Sequence, residues 1–336
     1  MNKRIVLIGG AGMIGHNLAL ELNRQGNDVT IIDFLSVNNF TTLLADSSKI
    51  FALYRKMVLE RFDLLQWAKV PILPVDARDY HQLSKAIGNI KPDVIVHLAA
   101  VAHIDRSNKD PHSTFDHSYR TLENALDVAR ALETPHFIFF SSSTAYGNFK
   151  KPILDEESQC SPFGIYGTLK LNGENSVISH NQVFDLPYTI VRPCALYGPR
   201  CISGRVIQKF IEAAITGGDI NIQGDGKDRE DFTFIEDLVD GVVKVINQPE
   251  KSIGEIFNIT AGAARGIGEL AFHVKQHFPE TIITYSERDK MKPMRGTLSV
   301  EKAKRLLGYS PKYPLERGLV DYLDNPIDQI LDKSKI

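Results

Sequence analysis

The sequence predicts an α/β fold, a doubly wound parallel sheet with a smaller C-terminal lobe, on three observations. Short apolar runs alternate with amphipathic stretches through the first half, the pattern of β-α-β units with helices on both faces of a sheet. A glycine-rich turn joins the first apolar run to the first amphipathic stretch. After Arg192 the pattern loosens into pieces punctuated by glycine and proline (YGPR, TGG, QGDG), where a second lobe fits.

In chain order, Arg4 to Ile8, Val29 to Ile32, Pro71 to Val75, Val94 to His97 and Phe137 to Ser141 read as strands, and Tyr188 to Arg192 as a sixth. Met13 to Gln25 reads as a helix closed by Gly26, a residue that adopts the left-handed conformation common at helix ends. Ser36 to Lys69 is longer than a simple crossover needs, and the spacing of Phe51, Leu53, Tyr54, Met57, Val58 and Leu64 predicts a helix there, with no role assigned. Val206 to Ile215 and Ile235 to Val245 are helices of the looser region. The expected division is 1-190, with about 235-260, as one unit, and 191-234 with 261-330 as the smaller lobe. There is no internal repeat and no low-complexity segment.

A chain of 336 residues buries a substantial core and favours two lobes with a cleft between them. With 39 Lys+Arg against 41 Asp+Glu, a formal charge of -2 and no long block of like charge, a nucleic-acid or membrane-surface protein is excluded. Cys160, Cys194 and Cys201 form no C-x-x-C pair and no zinc-like spacing, so neither a disulfide framework nor a metal is expected, and a reducing cytoplasm fits. The N-terminal residues run straight into IVLIGG, leaving no room for a signal peptide, and no apolar run is long enough to span a bilayer. The expectation is a cytoplasmic protein with no membrane and no nucleic-acid partner.

Gly9-Gly10-Ala11-Gly12-Met13-Ile14-Gly15 follows a strand and opens a helix, so its backbone can approach a pyrophosphate at a helix N-terminus, where unpaired N–H groups attract anions. This makes the first unit a Rossmann-type sheet. Gly9, Gly12, Met13, Ile14 and Gly15 are the candidate dinucleotide-binding residues. Asp33 closes the second strand 18 residues after Gly15, placed to accept hydrogen bonds from the adenosine ribose hydroxyls and to repel a 2′-phosphate, which favours NAD over NADP. Asp76 and Ala77, after the third strand, are placed near adenine, and Leu98, Ala99 and Ala100, after the fourth, let a dinucleotide lie close to the sheet.

Tyr166-Gly-Thr-Leu-Lys170 puts a phenol and an ammonium at i and i+4 on one helix face. A phenol titrates near pH ~10 unperturbed, and a fixed nearby cation stabilises its phenolate, so that Tyr166 exchanges a proton with a hydroxyl near neutral pH. Ser141-Ser142-Ser143-Thr144-Ala145-Tyr146-Gly147 ends the fifth strand, at the edge where a parallel sheet offers its functional residues.

With these pieces in place the sequence resembles, over essentially its whole length, the extended short-chain dehydrogenase/reductases, the NAD-dependent nucleotide-sugar epimerase/dehydratase group. The resemblance is carried by GGAGMIG, Asp33, HLAA at 97 to 100, SSSTAYG, YGTLK followed by LNGE, RPCALYGPR at 192 to 200, GDG at 224 to 226, DFTFIEDLVDG at 231 to 241 and RGTLSVEKAKRLLGY at 295 to 309. It implies that Ser142, four residues before Tyr146, hydrogen-bonds the reacting oxygen, that Tyr166 is the general acid/base, and that Lys170 holds the nicotinamide ribose and lowers the Tyr166 pKa. It also implies oxidation of a sugar carbinol, usually C4, by transient hydride transfer to NAD.

For a nucleotide-diphosphate sugar, Ser142, Ser143, Arg205, Arg229 and Arg295 are the candidate contacts, Arg295 matching the family's diphosphate-binding Arg. The smaller lobe is then the substrate-binding lobe. Relatives pair through helices flanking the active site, which implies a homodimer with Leu169, Leu171 and Val177 as apolar contacts. His97 is expected to be a satisfied core residue, with His103 the more substrate-facing of the two.

The chain departs from the pattern at several points. Sugar 4,6-dehydratases carry Asp-Glu directly after the catalytic Thr, where this chain has Ser143-Thr144, although HIDRS at 103 to 107 is similar to their H-V-D-R-S. Ser118 stands for a usual Asn, Ala195 for the Asn of R-P-x-N-x-Y-G-P, and Glu230 for the Arg before Asp-Phe, with Arg229 one place earlier. The reading is therefore an NAD-dependent nucleotide-sugar epimerase acting at C4. A net nucleotide-sugar 4-dehydrogenase or reductase and a 4,6-dehydratase are the enzymatic alternatives. The alternative of another class is an NAD-sensing scaffold protein, against which the joint presence of Ser142, Tyr166 and Lys170 argues.

Overall fold

The computed structural model describes residues 2–36, 48–102, 104–290 and 292–324. At its centre lie seven strands: β1 (Arg4–Ile8), β2 (Asp28–Ile32), β3 (Ile72–Leu73), β4 (Val94–His97), β5 (Phe137–Phe140), β6 (Tyr188–Arg192) and β7 (Glu255–Asn258). Their order is β7-β6-β5-β4-β1-β2-β3, every pairing parallel. The order reverses between β1 and β4, the switch point at which such sheets open a crevice beyond their carboxyl ends. The expected third strand contracts to Ile72–Leu73 because it pairs only with β2 and the Val75 N–H turns back onto the Leu73 carbonyl at 2.8 Å. β7, too short to show a period, was not among the expected strands.

The main helices are α1 (Met13–Arg24), α2 (Lys49–Trp67), α3 (Tyr80–Ile90), α4 (Thr121–Ala131), α5 (Gly164–Phe184), α6 (Val206–Ile215), α7 (Ile235–Asn247) and α8 (Ile267–His277). Side chains alternate across a strand, so β1 feeds two cores. Ile5 and Leu7 meet Leu18 and Leu22 of α1 and Leu238 and Val242 of α7 on one face. Val6 and Ile8 join the core of Leu83 of α3, Leu122 and Leu126 of α4 and Val177 of α5 on the other. Burial on both faces is why these strands read as unbroken apolar runs.

One expectation changes here and another holds. Val177 is fully buried in that second core, so it is not a contact for a partner subunit, whereas Leu169 and Leu171 are half-buried. The helix expected within Ser36 to Lys69 is α2; residues 37–47 and His103 lie outside the described residues.

Beyond β6 a third core gathers Phe210 of α6, Leu270 of α8, Ile220, Phe232 and Leu319. There Ile220–Gln223 pairs in parallel with Ile283–Ser286 as a sheet of two strands. Among the described residues no helix is long and apolar enough to cross a membrane.

Candidate active site

A cavity of about 520 Å³ opens where β4, β5 and β6 end. Its walls include Leu98 and Ala100 after β4, Ser141 to Thr144 after β5 and Pro193 to Leu196 after β6, with Ile14 from α1, Tyr166 and Lys170 from α5, and Arg205, Arg229 and Arg295 from later in the chain.

The glycine-rich turn is held from two sides. The Asp33 carboxylate accepts from the Ala11 N–H at 2.9 Å and the Leu35 N–H at 2.7 Å, while the Gly9 N–H donates to the Ile32 carbonyl at 2.8 Å. Burial raises the Asp33 carboxyl above its usual range, and the hydrogen bonds from Leu35 and Ala11 oppose that rise. Gly12 caps α1 without a side chain, and the first turn of α1 carries no acid. Its first amides therefore have no side-chain cap among the described residues, which makes this an anion-binding end. A Cβ at Gly12 would meet only the Gly9 carbonyl, at 3.7 Å, so the space above the loop is open to the backbone approach that a pyrophosphate needs. These residues fit NAD. Met13 and Ile14 open α1, and Ala99 lies against Gly9. The Asp76 carboxylate is bonded by Arg78 at 2.6 Å and 3.0 Å, and like Gly9, Gly12 and Asp33 neither it nor Ala77 is among the residues that line the cavity.

Tyr166, Lys170 and Glu174 recur every fourth residue on the face of α5 that meets β5. A Cβ on Gly167 would lie 2.7 Å from the Thr144 carbonyl, so glycine lets α5 approach the loop after β5. The Ser142 hydroxyl accepts from the Thr144 N–H at 3.2 Å and shares the cavity wall with the Tyr166 phenol. Lys170 Nζ donates to the Phe140 carbonyl at 2.6 Å and lies 5.9 Å from the Tyr166 ring centre. Burial pushes the Lys170 ammonium down to about 7, against the pull of Glu174.

The expected lowering of the Tyr166 pKa by Lys170 is not what the protein alone shows. Burial raises it, and what opposes that rise is Arg205, then the Ser142 hydroxyl, then Arg295. The reason is desolvation: Tyr166 is closed in by protein, and Lys170 spends its charge on a main-chain carbonyl.

Below this pair runs a buried network that sequence reasoning missed. Glu174 takes Arg192 in a two-pronged ion pair at 2.6 Å and 2.9 Å and accepts from the Ser141 hydroxyl. Arg192 Nη1 donates to the Tyr146 hydroxyl at 2.9 Å, which donates to Asn258 Oδ1 at 2.8 Å. The ends of β5, β6 and β7 are thereby tied together beneath Ser142. The i+4 step from Lys170 to Glu174 was the available signal. Ser118, which stands in the place of the usual Asn, lies inside a π-helical turn, Asp116–Arg120, and its hydroxyl accepts from the Val101 N–H at 3.0 Å. His97 is buried and outside the cavity, its pKa down at about 3 through burial and Lys170. It is not the satisfied residue expected, because neither ring nitrogen finds a partner among the described residues.

The candidate substrate arginines differ from one another. Arg295 is buried, donates to the Ser143 hydroxyl at 2.7 Å and lies 3.6 Å from Glu230. It therefore stands one residue from Ser142. Arg205 precedes α6 and faces the cavity. Arg229 is exposed and donates to the Ala264 carbonyl. Ala195 holds a positive φ of 38°, a conformation that Asn tolerates better than Ala. Cys194, Lys209 and Lys292 also line the cavity and were not singled out from sequence.

Fold and site together define a dinucleotide-dependent enzyme of the short-chain dehydrogenase/reductase type. The chain belongs to the NAD dependent epimerase/dehydratase family, whose model matches residues 5–260. It is 29% identical to an uncharacterized UDP-glucose epimerase of Bacillus subtilis over 95% of this chain and 96% of that one. It is also 29% identical to a UDP-N-acetyl-alpha-D-glucosaminuronate decarboxylase of Bacillus cytotoxicus, covering 95% and 96%. Among solved structures, UDP-glucose 4-epimerase of Thermotoga maritima with UDP-glucose matches with a TM-score of 0.84 at 25% identity, covering 97% of this chain and 99% of that one. UDP-glucuronic acid 4-epimerase of Bacillus cereus, in complex with UDP-glucuronic acid and NAD, matches with a TM-score of 0.81 at 25% identity and the same coverage. The enzyme uses NAD.

Proposed function

We propose that this enzyme is a UDP-sugar 4-epimerase in which Ser142, Tyr166 and Lys170 form the catalytic set. The carrying observation is the convergence of Ser142, Tyr166 and Lys170 on one cavity, with hydroxyls rather than carboxylates at Ser143 and Thr144. NAD, when bound, supplies the two-electron acceptor and donor. Tyr166 takes the proton of the C4 hydroxyl and returns it, Ser142 orients the same oxygen, and Lys170 fixes the geometry from below through its bond to the Phe140 carbonyl. Arg205 and Arg295 lower the cost of a negative charge on Tyr166 and, with Arg229, form the cationic side of the cavity that suits a diphosphate.

Elimination of water needs an added acid and base next to the reacting carbon. The two positions after Ser142 supply neither, which supports epimerisation over 4,6-dehydration. The choice of UDP rests on the names of the relatives. The dinucleotide unit is taken as 1-190 with about 235-260, since α7 and β7 pack on the central sheet, and the substrate lobe as 191-234 with 261-330. The working unit is taken as a homodimer; light scattering that shows only monomer at micromolar concentration refutes that.

The decisive experiment incubates the protein with UDP-, GDP-, CDP- and dTDP-sugars, uronic acids included, in deuterated water and follows products by NMR. A C4 epimer of a UDP-sugar without deuterium at C4 supports the reading. A 6-deoxy-4-keto product labelled at C6, release of carbon dioxide, or net accumulation of NADH overturns it.

A further inference from the structure

α2, the helix for which the sequence suggested no role, belongs to a closed circuit of hydrogen bonds around the cofactor loop. His16 of α1 is fully buried, and its Nδ1 lies 2.8 Å from the Gly12 carbonyl. A carbonyl only accepts, so the proton is on Nδ1 and Nε2 offers a lone pair. Arg200 Nε donates to that lone pair at 2.9 Å. The Arg200 guanidinium also donates to Asn17 Oδ1 of α1 at 3.1 Å and to Glu60 Oε1 of α2 at 3.2 Å. In turn the Arg200 carbonyl accepts from Arg61 of α2, from Nε at 3.2 Å and again from Nη2. Arg61 is 1% exposed, and its Nη1 reaches the Ala11 carbonyl at 3.5 Å. The circuit thus leaves the cofactor loop at Gly12 and returns to it at Ala11.

Its far point, Arg200, lies in the segment after β6 that continues to Arg205 on the cavity wall. The Cys201 N–H donates to the Gly198 carbonyl at 3.3 Å, closing a turn around Pro199 and Arg200 in which Arg200 has a φ of +60°. A turn with Pro second and a left-handed residue third favours Gly or Asn at the third place. An arginine there is strained, and such strain persists where the surroundings over-determine it. Here all three guanidinium nitrogens and the carbonyl of the strained residue are engaged by α1 and α2.

We propose that Arg61 and Arg200 are positioning residues that couple the dinucleotide site to the nucleotide-sugar cavity, so that binding at either one tightens the other. The inference rests on the reading of the cavity as a nucleoside-diphosphate-sugar site. The dinucleotide seats on the loop that the circuit holds at Ala11 and Gly12, and the diphosphate seats beside the segment that the circuit holds at Arg200. By linkage, each ligand then changes the affinity of the other by one common factor, typically ~5–150-fold where such coupling exists.

The test is equilibrium dialysis of the holoprotein against NAD, with and without saturating UDP, for the parent, Arg200→Gly and Arg61→Lys. Arg200→Gly keeps the left-handed backbone free of strain and removes the side chain with its guanidinium. Arg61→Lys keeps the charge and loses the fork that bonds two carbonyls. In the parent, UDP tightens NAD by roughly fivefold or more, and in each variant that factor falls towards one. The double variant loses no more coupling than either single one, because both cut the same circuit. An unchanged factor in both variants, or a factor of one in a parent that binds UDP, overturns the proposal. If the parent does not bind UDP at all, the nucleotide-sugar reading fails, and the circuit is judged on NAD alone: NAD affinity undiminished in Arg200→Gly overturns it. Circular-dichroism melts check folding, and if Arg200→Gly does not fold, Arg61→Lys carries the same comparisons.

Discussion

Gly12 and Gly15, three residues apart, respond to the same added methyl group in opposite ways. Gly12 has φ -74° and ψ -177°, open to any residue, and its Cβ would meet only the Gly9 carbonyl at the ordinary contact distance of 3.7 Å. In Gly12→Ala the poorer N-cap costs about 0.5–1 kcal/mol, and the loss of unfolded-chain freedom offsets about 0.4–1 kcal/mol of it. The NAD-free protein therefore stays within about 1 kcal/mol of the parent. The new methyl, however, occupies the space a pyrophosphate must enter, and two amide bonds to a charged oxygen, at about 1.5 kcal/mol or more each, are lost. That sum of about 3 kcal/mol weakens NAD about 100-fold. In Gly15→Ala the Cβ would lie 2.3 Å from the Gly10 carbonyl oxygen and 2.4 Å from the Gly10 Cα, an overlap with backbone that only a shift of α1 relieves. That variant loses stability before it loses a ligand. Urea unfolding of the NAD-free proteins and calorimetric titration with NAD measure both quantities. Gly12→Ala binding NAD as tightly as the parent, or Gly15→Ala being as stable as the parent, refutes this account of the loop.

Tyr166→Phe is expected to keep NAD affinity and to lose turnover by about 10²–10⁴-fold, the usual worth of a positioned acid/base; calorimetry and a steady-state assay separate the two. Glu174→Gln leaves the buried Arg192 without its two-pronged partner, so unfolding in urea should show a loss of about 3–5 kcal/mol, and a loss typical of a surface pair, under about 1 kcal/mol, counts against the network. Burial pushes the Asp231 carboxyl up to about 6 from the ordinary 3.8, even with Leu298 and Thr260 bonded to it. Its protonated form is the one that folding favours, so its contribution, about 3 kcal/mol, is complete below pH 3.8 and is lost as pH rises through about 6. Asp231→Asn should flatten that part of the stability-against-pH curve, as read by urea midpoints at several pH values.

Much of the fold was legible because local pattern and tertiary context agreed. Arg4 to Ile8, Val94 to His97 and Tyr188 to Arg192 are strands with the bounds their apolar runs suggest, since a parallel strand buried on both faces has no polar position to blur its ends. The cofactor loop, Asp33 and the Tyr166–Lys170 pair were equally plain, because each is a short-range arrangement whose spacing is its geometry. The partner of Asp76 was less plain: a loop carboxylate takes a nearby cation, and Arg78, two residues away, bonds it.

The sequence by itself determined the doubly wound sheet, the use of NAD and the candidate residues for both sites, because helix and strand periods and the backbone freedom of glycine act over a few residues. Only the tertiary structure decided that Arg295, far along the chain, stands beside Ser143, that Val177 belongs to the core and not to an interface, and that Arg61 and Arg200 close a ring through His16. Those contacts join residues more than a hundred positions apart in the first and last cases, and a buried charge takes its partner from whatever the packing brings within reach, which no local spacing encodes.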